Sequence, residues 1–220
     1  MRVRRAGRLL ASALVVGALR HATASAQESS EGSLELGLWK RLSASDYVYV
    51  PLAITRDEVD HDEGLVGASY VRVVDSTLAV RAGLRYSWEL TPPAGAQPYR
   101  EHRAVAEATV RPWSRTRIDL RDRTRFELRW IDGVPAWRLR NRILGERTVA
   151  RRREASLTPY ATFEASYDSR YRTINRLRTS VGVATRVNPH VVLDTYAARQ
   201  RDSRGDARMQ ALGMTVNLTY

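Results

Sequence analysis

The stretch that decides the fold is RIDLRDRTRFELRW, residues 117–130. Every second position from its start is charged: Arg117, Asp119, Arg121, Arg123, Arg125, Glu127 and Arg129. The positions between them are mostly apolar and end in Phe126, Leu128 and Trp130. Because successive side chains of a β-strand point to opposite faces, this alternation predicts a strand with one charged face and one apolar face.

The same period of two recurs along the rest of the chain. Residues 78–90 alternate apolar side chains with polar ones, as do residues 175–187 and 211–220. We predict eleven strands, near 33–41, 46–56, 64–74, 77–90, 103–113, 116–131, 136–146, 155–168, 173–187, 190–200 and 208–220. Many of them exceed the about 5–6 residues of a usual globular strand and match the roughly 9–11 residues of a tilted strand that crosses a bilayer.

We therefore predict an all-β fold, an antiparallel up-and-down transmembrane β-barrel of about 10–12 strands. Short connections such as 74–77 alternate with longer polar ones such as 91–102, a pattern typical of bacterial outer-membrane barrels. Single-chain barrels of that class have even strand numbers, so about ten or twelve strands are expected rather than eleven.

The first 26 residues have the three parts of a secretory signal peptide. A basic start, MRVRRAGR, precedes the apolar run LLASALVVGAL, and Ala24-Ser25-Ala26 offers a cleavage site. The apolar run is too short to span a bilayer as a helix. We predict that residues 1–26 are removed and that residues 27–220 form one barrel domain. The segment carries five arginines and no acidic residue, so its removal lowers the formal charge from +12 to +7.

Export narrows the classes of function. A basic chain in the cytosol would indicate nucleic-acid binding, but an exported chain does not meet nucleic acid, and we expect none as a partner. The absence of cysteine excludes a disulfide framework, a thiolate metal site and an amino-terminal lipid-modified cysteine. We expect the chain in the outer membrane of a Gram-negative cell, in contact with its lipid and lipopolysaccharide.

Alternation alone does not say which face of a barrel is inside. A soluble lipocalin-like barrel has an apolar interior, whereas a membrane barrel has an apolar exterior. Aromatic residues near strand ends favour the membrane, because their rings form girdles at the bilayer interfaces. The predicted girdle consists of Trp88, Trp113, Trp130, Trp137 and Tyr220. Tyr220 also ends a strand of alternating apolar residues, which resembles the carboxy-terminal strand that the outer-membrane assembly machinery recognises.

The charged faces supply the predicted lining of the lumen. Its members are Arg81, Arg85, Arg117, Arg121, Arg123, Arg125, Glu127, Arg129, Arg138, Arg140, Arg142, Glu164, Arg176 and Arg178. Fewer acids than arginines fall on these faces, and arginine forks paired with those carboxylates would satisfy one another. Two residues fit this arrangement badly, because Asp122 and Asn141 fall on the predicted lipid faces, where polar groups are costly.

Several short motifs resemble a known family. They are WRLRNR at 137–142, Tyr160, Glu164, NRLRTSVGV at 175–183, Tyr196 and Trp39. With these residues the chain resembles the uncharacterised outer-membrane family catalogued as domain of unknown function 2490. The family is expected to have a glutamate followed closely by phenylalanine, whereas here Phe163 precedes Glu164 and Tyr167 follows it. The resemblance implies an outer-membrane barrel and no particular activity.

No catalytic, cofactor or metal site is predicted, and we do not expect an enzyme. The histidines after the signal peptide, His61, His102 and His190, fall in or beside loops and turns, and no G-x-S-x-G motif offers a nucleophile. Residues 57–63 have enough carboxylates to hold a divalent cation. They lack the spacing of a calcium loop, and we interpret them as a solvated acidic loop.

The sequence leaves two functions open for the barrel. An open lumen lined with arginine favours anions and would form a small anion-preferring pore. A lumen plugged by ion-paired side chains would form a structural or surface-interaction barrel, which we favour because so few strands leave little bore. The alternative outside the membrane is a soluble periplasmic lipocalin-like binding barrel with an apolar interior.

Overall fold

The computed structural model describes residues 28–57, 62–92, 95–113, 118–152, 155–203 and 208–220. The predicted signal peptide lies outside these residues. The strands are β1 (Glu28–Arg41), β2 (Asp46–Asp57), β3 (Asp62–Val73), β4 (Leu78–Glu89), β5 (Arg100–Trp113), β6 (Asp119–Ile131), β7 (Val134–Glu146), β8 (Ala150–Arg152), β9 (Ala155–Asp168), β10 (Thr173–Asn188), β11 (Val191–Asp202) and β12 (Arg208–Thr219). No helix in this part of the chain is long and apolar enough to cross a membrane.

The eleven long strands form one closed barrel. Neighbours in the chain pair in antiparallel fashion, with β7 meeting β9, and β1 pairs with β12 to close the sheet. The three-residue β8 adds to the start of β9, where Ala150 pairs with Leu157. The predicted all-β barrel is confirmed, and so are the eleven long strands counted from the period of two.

The expectation of an even number of strands is wrong. In a sheet of alternating strands, an odd number leaves the first and the last running in the same direction. The barrel accordingly closes through one parallel pair, in register from Glu28 opposite Arg208 to Trp39 opposite Thr219. Main-chain bonds continue this pair to the last residue, because Tyr220 N donates to Trp39 O at 2.8 Å.

The parallel closure places the two ends of the described chain at opposite rims. The rim at which β1, β3, β5, β7, β10 and β12 begin is called the upper rim, and the rim at which they end is called the lower rim. Glu28 lies at the upper rim and Tyr220 at the lower rim.

At residues 62, 100, 134 and 202 the strands extend two or three residues further into the polar connections than the sequence predicts, whereas the bounds at 168 and 173 are as predicted. The connection 90–99 is long, but only residues 132–133 separate β6 from β7, and only residues 169–172 separate β9 from β10. The predicted alternation of short and long connections is therefore wrong for most of the upper rim. Asp132 and Gly133 both have positive φ, 49° and 83°, as the two central residues of a tight type I′ hairpin require.

The barrel is charged inside and apolar outside. Glu101, Glu127 and Asp168 have no exposed surface. On the outer face, by contrast, Leu84 is 67% exposed and Val181 62%. This is the reverse of the usual arrangement in a water-soluble domain, where charged side chains are rarely buried without a partner.

The two polar residues on predicted apolar faces do lie on the outer wall. Asn141 Nδ2 donates to Asp122 Oδ1 at 2.6 Å and to Thr124 Oγ1 at 3.1 Å. Asn141 and Thr124 are directly opposite each other on β7 and β6. The three side chains satisfy one another in this way, which lowers the cost of polar groups on an apolar surface.

Candidate functional site in the charged lumen

The upper part of the lumen holds a balanced ion cluster. Arg129 donates to both oxygens of Glu101, and its Nη1 donates to Asp168 Oδ2 at 2.8 Å. Arg103 Nη2 lies 2.7 Å from Glu101 Oε2, and Arg170 Nη2 lies 3.0 Å from Asp168 Oδ2. Three arginines here share two fully buried carboxylates, and Arg103 also approaches the half-exposed Glu63, with Nη2 3.8 Å from Oε1.

Two groups at the upper rim have pKa values shifted by this cluster. Burial raises the pKa of Tyr99 to about 12, and its hydroxyl donates to Glu101, which adds to the shift. The hydrogen bond from Arg170 to Asp168 raises the pKa of the Arg170 guanidinium above its ordinary value. Both groups therefore keep their usual protonation state at neutral pH.

A second cluster fills the middle of the lumen around Glu127. Arg138 Nη2 lies 2.6 Å from Glu127 Oε2, while Arg140 Nη1 and Arg125 Nη1 lie 3.4 Å and 3.6 Å from Oε1. The register explains these contacts, because Glu127 pairs with Arg138 and the neighbouring Arg125 pairs with Arg140.

Two further glutamates extend this cluster. Glu164 contacts Arg140, Arg142 Nε at 2.7 Å and Arg123 Nη2 at 3.8 Å. Glu107 contacts the Nε atoms of Arg125 at 2.6 Å and Arg123 at 3.8 Å, and Arg81 Nη2 at 3.3 Å. These ion-paired side chains form what we call the central cluster: Glu107, Glu127, Glu164, Arg81, Arg123, Arg125, Arg138, Arg140 and Arg142. It has twice as many arginines as glutamates.

The remaining predicted lumen residues pair at the margins. Arg176 Nη2 is 3.7 Å from Asp202 Oδ2, Arg178 Nη1 is 3.9 Å from Glu31 Oε1, and Arg121 donates to Glu146. Arg85 also lies on an inward face, opposite Gly67 and Arg103. Thus every predicted lumen residue that the structure describes faces the interior, and Arg117 lies outside the described residues.

The sequence prediction missed most of the inward-facing carboxylates. They are Glu31, Glu35, Glu63, Glu101, Glu146, Asp168, Asp194 and Asp202. Two of them accept hydrogen bonds from tyrosines rather than arginines: Tyr49 donates to Glu35, and Tyr160 donates to Asp194 at 2.8 Å. Strict alternation in residues 29–39 carries Glu31 and Glu35 on one face and would have found them.

Aromatic side chains gather on the outer wall towards the upper rim. Trp88 stacks on Tyr86 with ring centroids 5.4 Å apart, and Trp137 stacks on Tyr167 at 5.2 Å. Trp130 lies opposite Pro135 at the same rim and is exposed. Of the other predicted girdle residues, Trp113 ends β5 and the exposed Tyr220 follows β12, both at the lower rim.

The acidic segment 57–63 and the histidines form no group that could hold a metal ion among the described residues. Asp62 accepts two hydrogen bonds of 2.6 Å from Arg56, and Glu58, Asp60 and His61 lie outside the described residues. His102 packs against Tyr86 on the outer wall, and His190 Nδ1 lies 2.8 Å from the main-chain oxygen of Thr219 in a turn.

Comparison with known proteins gives a family but no function. No curated protein matches the chain. The profile of DUF2490, described as a protein of unknown function, matches residues 47–210, which run from the start of β2 into β12. The match covers the arginine-rich strands that form the central cluster, and it confirms the resemblance carried by residues 137–142 and 175–183. The chain belongs to the DUF2490 family of proteins of unknown function.

Proposed function

We propose that this protein is an outer-membrane β-barrel whose lumen is plugged by its own ion-paired side chains. The inverted polarity of the wall carries this proposal. Large apolar side chains cover the outside, including the exposed Phe126, Leu139 and Phe163, while the inside holds fully buried carboxylates. An apolar exterior is stable where lipid rather than water surrounds the barrel.

Strand length supports the same location. The shortest of the long strands have 12 residues, as in β4, and β10 has 16. About 9–11 residues suffice for a tilted strand to cross the hydrocarbon core. The exposed Trp130 and Trp137 near the upper rim would then lie at one bilayer interface, in contact with lipid and lipopolysaccharide.

The plugged lumen follows from the ion clusters. The Glu101, Glu127 and Asp168 side chains are inaccessible, and each contacts two or more arginines. Long side chains fill the interior of narrow barrels in this way. A binding barrel for an apolar ligand would need an apolar interior, which these charged side chains do not provide.

A small anion-preferring pore is the second candidate. One observation favours it: the central cluster contains six arginines and three glutamates. An unbalanced positive lining attracts anions if water can pass. Replacing Arg121, Arg123 and Arg125 with glutamine would then lower the conductance and its anion preference.

Two measurements test the proposal. Protein folded in detergent micelles should migrate faster on a denaturing gel before boiling than after it, because a closed barrel resists the detergent. In planar bilayers the same sample should give a tight electrical seal. Steady conductance would favour the pore, and a single band from protein that stays monomeric in plain buffer would favour a soluble periplasmic barrel.

A further inference from the structure

We propose that the lumen contains a binding site for a small inorganic oxyanion, phosphate or sulfate, formed by Arg81 and Arg85 of β4 and Ser69 of β3. The site rests on the geometry of the lumen and not on the location of the barrel in a membrane. It uses Arg85 and Ser69, which lie outside the ion clusters, and Arg81, a member of the central cluster whose Nε has no hydrogen-bond partner in the described structure.

Arg85 differs from the other arginines in the middle of the lumen in having no carboxylate partner in the described structure. Among the residues that the structure describes, it forms no ion pair within 4 Å, and its Nε is buried without a hydrogen-bond partner. Its side chain lies against Gly67, where an added Cβ would come within 2.9 Å of Arg85 Cγ. Unsatisfied buried donors of this kind call for an additional partner, such as an ion.

Ser69 supplies a second unsatisfied group at the same place. Its side chain is 4% exposed, and its Oγ is buried with no hydrogen-bond partner in the described structure. Ser69 lies opposite Gly83, the residue midway between Arg81 and Arg85 on the inward face of β4. A Cβ at Gly83 would lie 2.6 Å from Ser69 Cα, so the bare glycine brings the hydroxyl between the two arginines.

Arg81 completes the site from the lower side. Its only described ion pair is the 3.3 Å contact with Glu107, a carboxylate that it shares with Arg123 and Arg125. The Nε of Arg81 is also buried without a partner. Its guanidinium lies 5.4 Å from the ring centroid of Tyr49 and is held there by a cation–π contact.

The charges around the site leave room for an anion. Arg85 lies within electrostatic range of both Arg81 and Arg125, and the nearby Glu35 accepts the hydroxyl of Tyr49. Glu107 is the shared carboxylate on the other side. With Arg123 and Glu127, which pair with Glu107 and Arg125, four guanidinium groups meet three carboxylates that already have partners. This excess of positive charge favours a bound oxyanion, which accepts hydrogen bonds from arginine forks and a hydroxyl together.

Calorimetric titration of the folded protein with sodium sulfate and with sodium phosphate tests the site. We expect one saturable site per chain. Arg85→Gln should weaken binding by roughly tenfold or more, because it removes a charge-assisted hydrogen bond. Ser69→Ala should weaken it severalfold and is the safer variant for folding. Arg186→Gln is the matched control, since this exposed arginine of β10 lies near the lower rim, and it should bind like the unaltered protein.

Three outcomes would overturn the site. They are no saturable binding of either ion, unchanged binding in both Ser69→Ala and Arg85→Gln, or binding of glycerol 3-phosphate with neither inorganic ion. The gel and conductance measurements are separate from this titration. If the protein binds sulfate but shows no heat-modifiable band, the proposed anion site is supported and the proposed location in the outer membrane is contradicted.

Discussion

A hydrogen bond between Trp39 and Asn217 joins the first and the last strand of the barrel across its parallel pair. Trp39 Nε1 donates to Asn217 Oδ1 at 3.0 Å, from β1 to β12. Both side chains face the interior, and Trp39 also packs on Tyr49 with ring centroids 4.3 Å apart. A single hydrogen bond therefore ties the indole to the strand that closes the sheet.

We expect Asn217→Ala to destabilise the barrel by about 1–3 kcal/mol, because the indole N–H then loses its partner in a partly buried setting. Trp39→Phe should cost a similar amount, and the double variant should cost less than the sum of the two. Urea unfolding in micelles measures all three. Additive effects would show that this hydrogen bond contributes nothing to closure.

The parallel closure predicts the sides on which chain segments emerge. The chain contains no cysteine, so single cysteines report exposure without background. Ser30→Cys at the start of β1 and Ser203→Cys after β11 should react with an impermeant maleimide from the same side. Ser76→Cys, between β3 and β4, should react from the other side. Ser30 and Ser203 reacting from opposite sides would contradict the parallel pair and indicate an even number of strands.

The period of two was sufficient to predict the wall of the barrel. In β6 it assigned Arg125 and Glu127 to one face and Phe126 to the other, and the structure has them so. Side-chain alternation has this power because a strand has only two faces. Local pattern fixes the face of each residue, and it does so without knowledge of the partner strands.

Pairing between distant strands could not be predicted in the same way. The contact of Glu127 with Arg138 depends on the register of β6 with β7, and the parallel β1–β12 pair depends on how the whole sheet closes. The rule that single-chain barrels have even strand numbers predicted an antiparallel closure, whereas the observed closure is parallel. Glu35 is different, because local pattern was enough to predict its face: Leu34, Leu36 and Leu38 alternate with Ser33, Glu35 and Gly37.

Removal of the Glu127 carboxylate, in the middle of the lumen, should lower the stability of the folded barrel. Glu127→Gln leaves Arg138 and Arg140 with less charge compensation in a buried setting, and we expect a loss of about 3–5 kcal/mol in the free energy of unfolding. Glu63→Gln is the control, because that side chain is 42% exposed and lies 3.8 Å from a single arginine. Equal urea midpoints for the two variants would mean that the lumen is hydrated and that the central cluster adds little.

The turn between β3 and β4 should respond to pH through Asp75. Thr77 Oγ1 donates to Asp75 Oδ1 at 2.7 Å, and the main-chain N–H groups of Thr77 and Leu78 donate to the same oxygen. These bonds, the Thr77 hydroxyl first, hold the pKa of Asp75 below its ordinary value. A carboxylate with a lowered pKa adds stability above the pKa of the unfolded chain, about 3.9, and loses it as the pH falls through the folded value.

Thr77→Ala should therefore raise the pKa of Asp75 towards the ordinary value, as followed by NMR titration of its carboxyl carbon. The stability difference between this variant and the unaltered protein should be constant above about pH 5 and should shrink as the pH falls below about 4. Ser76→Ala is the control, because the neighbouring exposed hydroxyl forms no bond to Asp75 in the described turn. An unchanged Asp75 titration in Thr77→Ala would show that the main-chain donors alone lower its pKa.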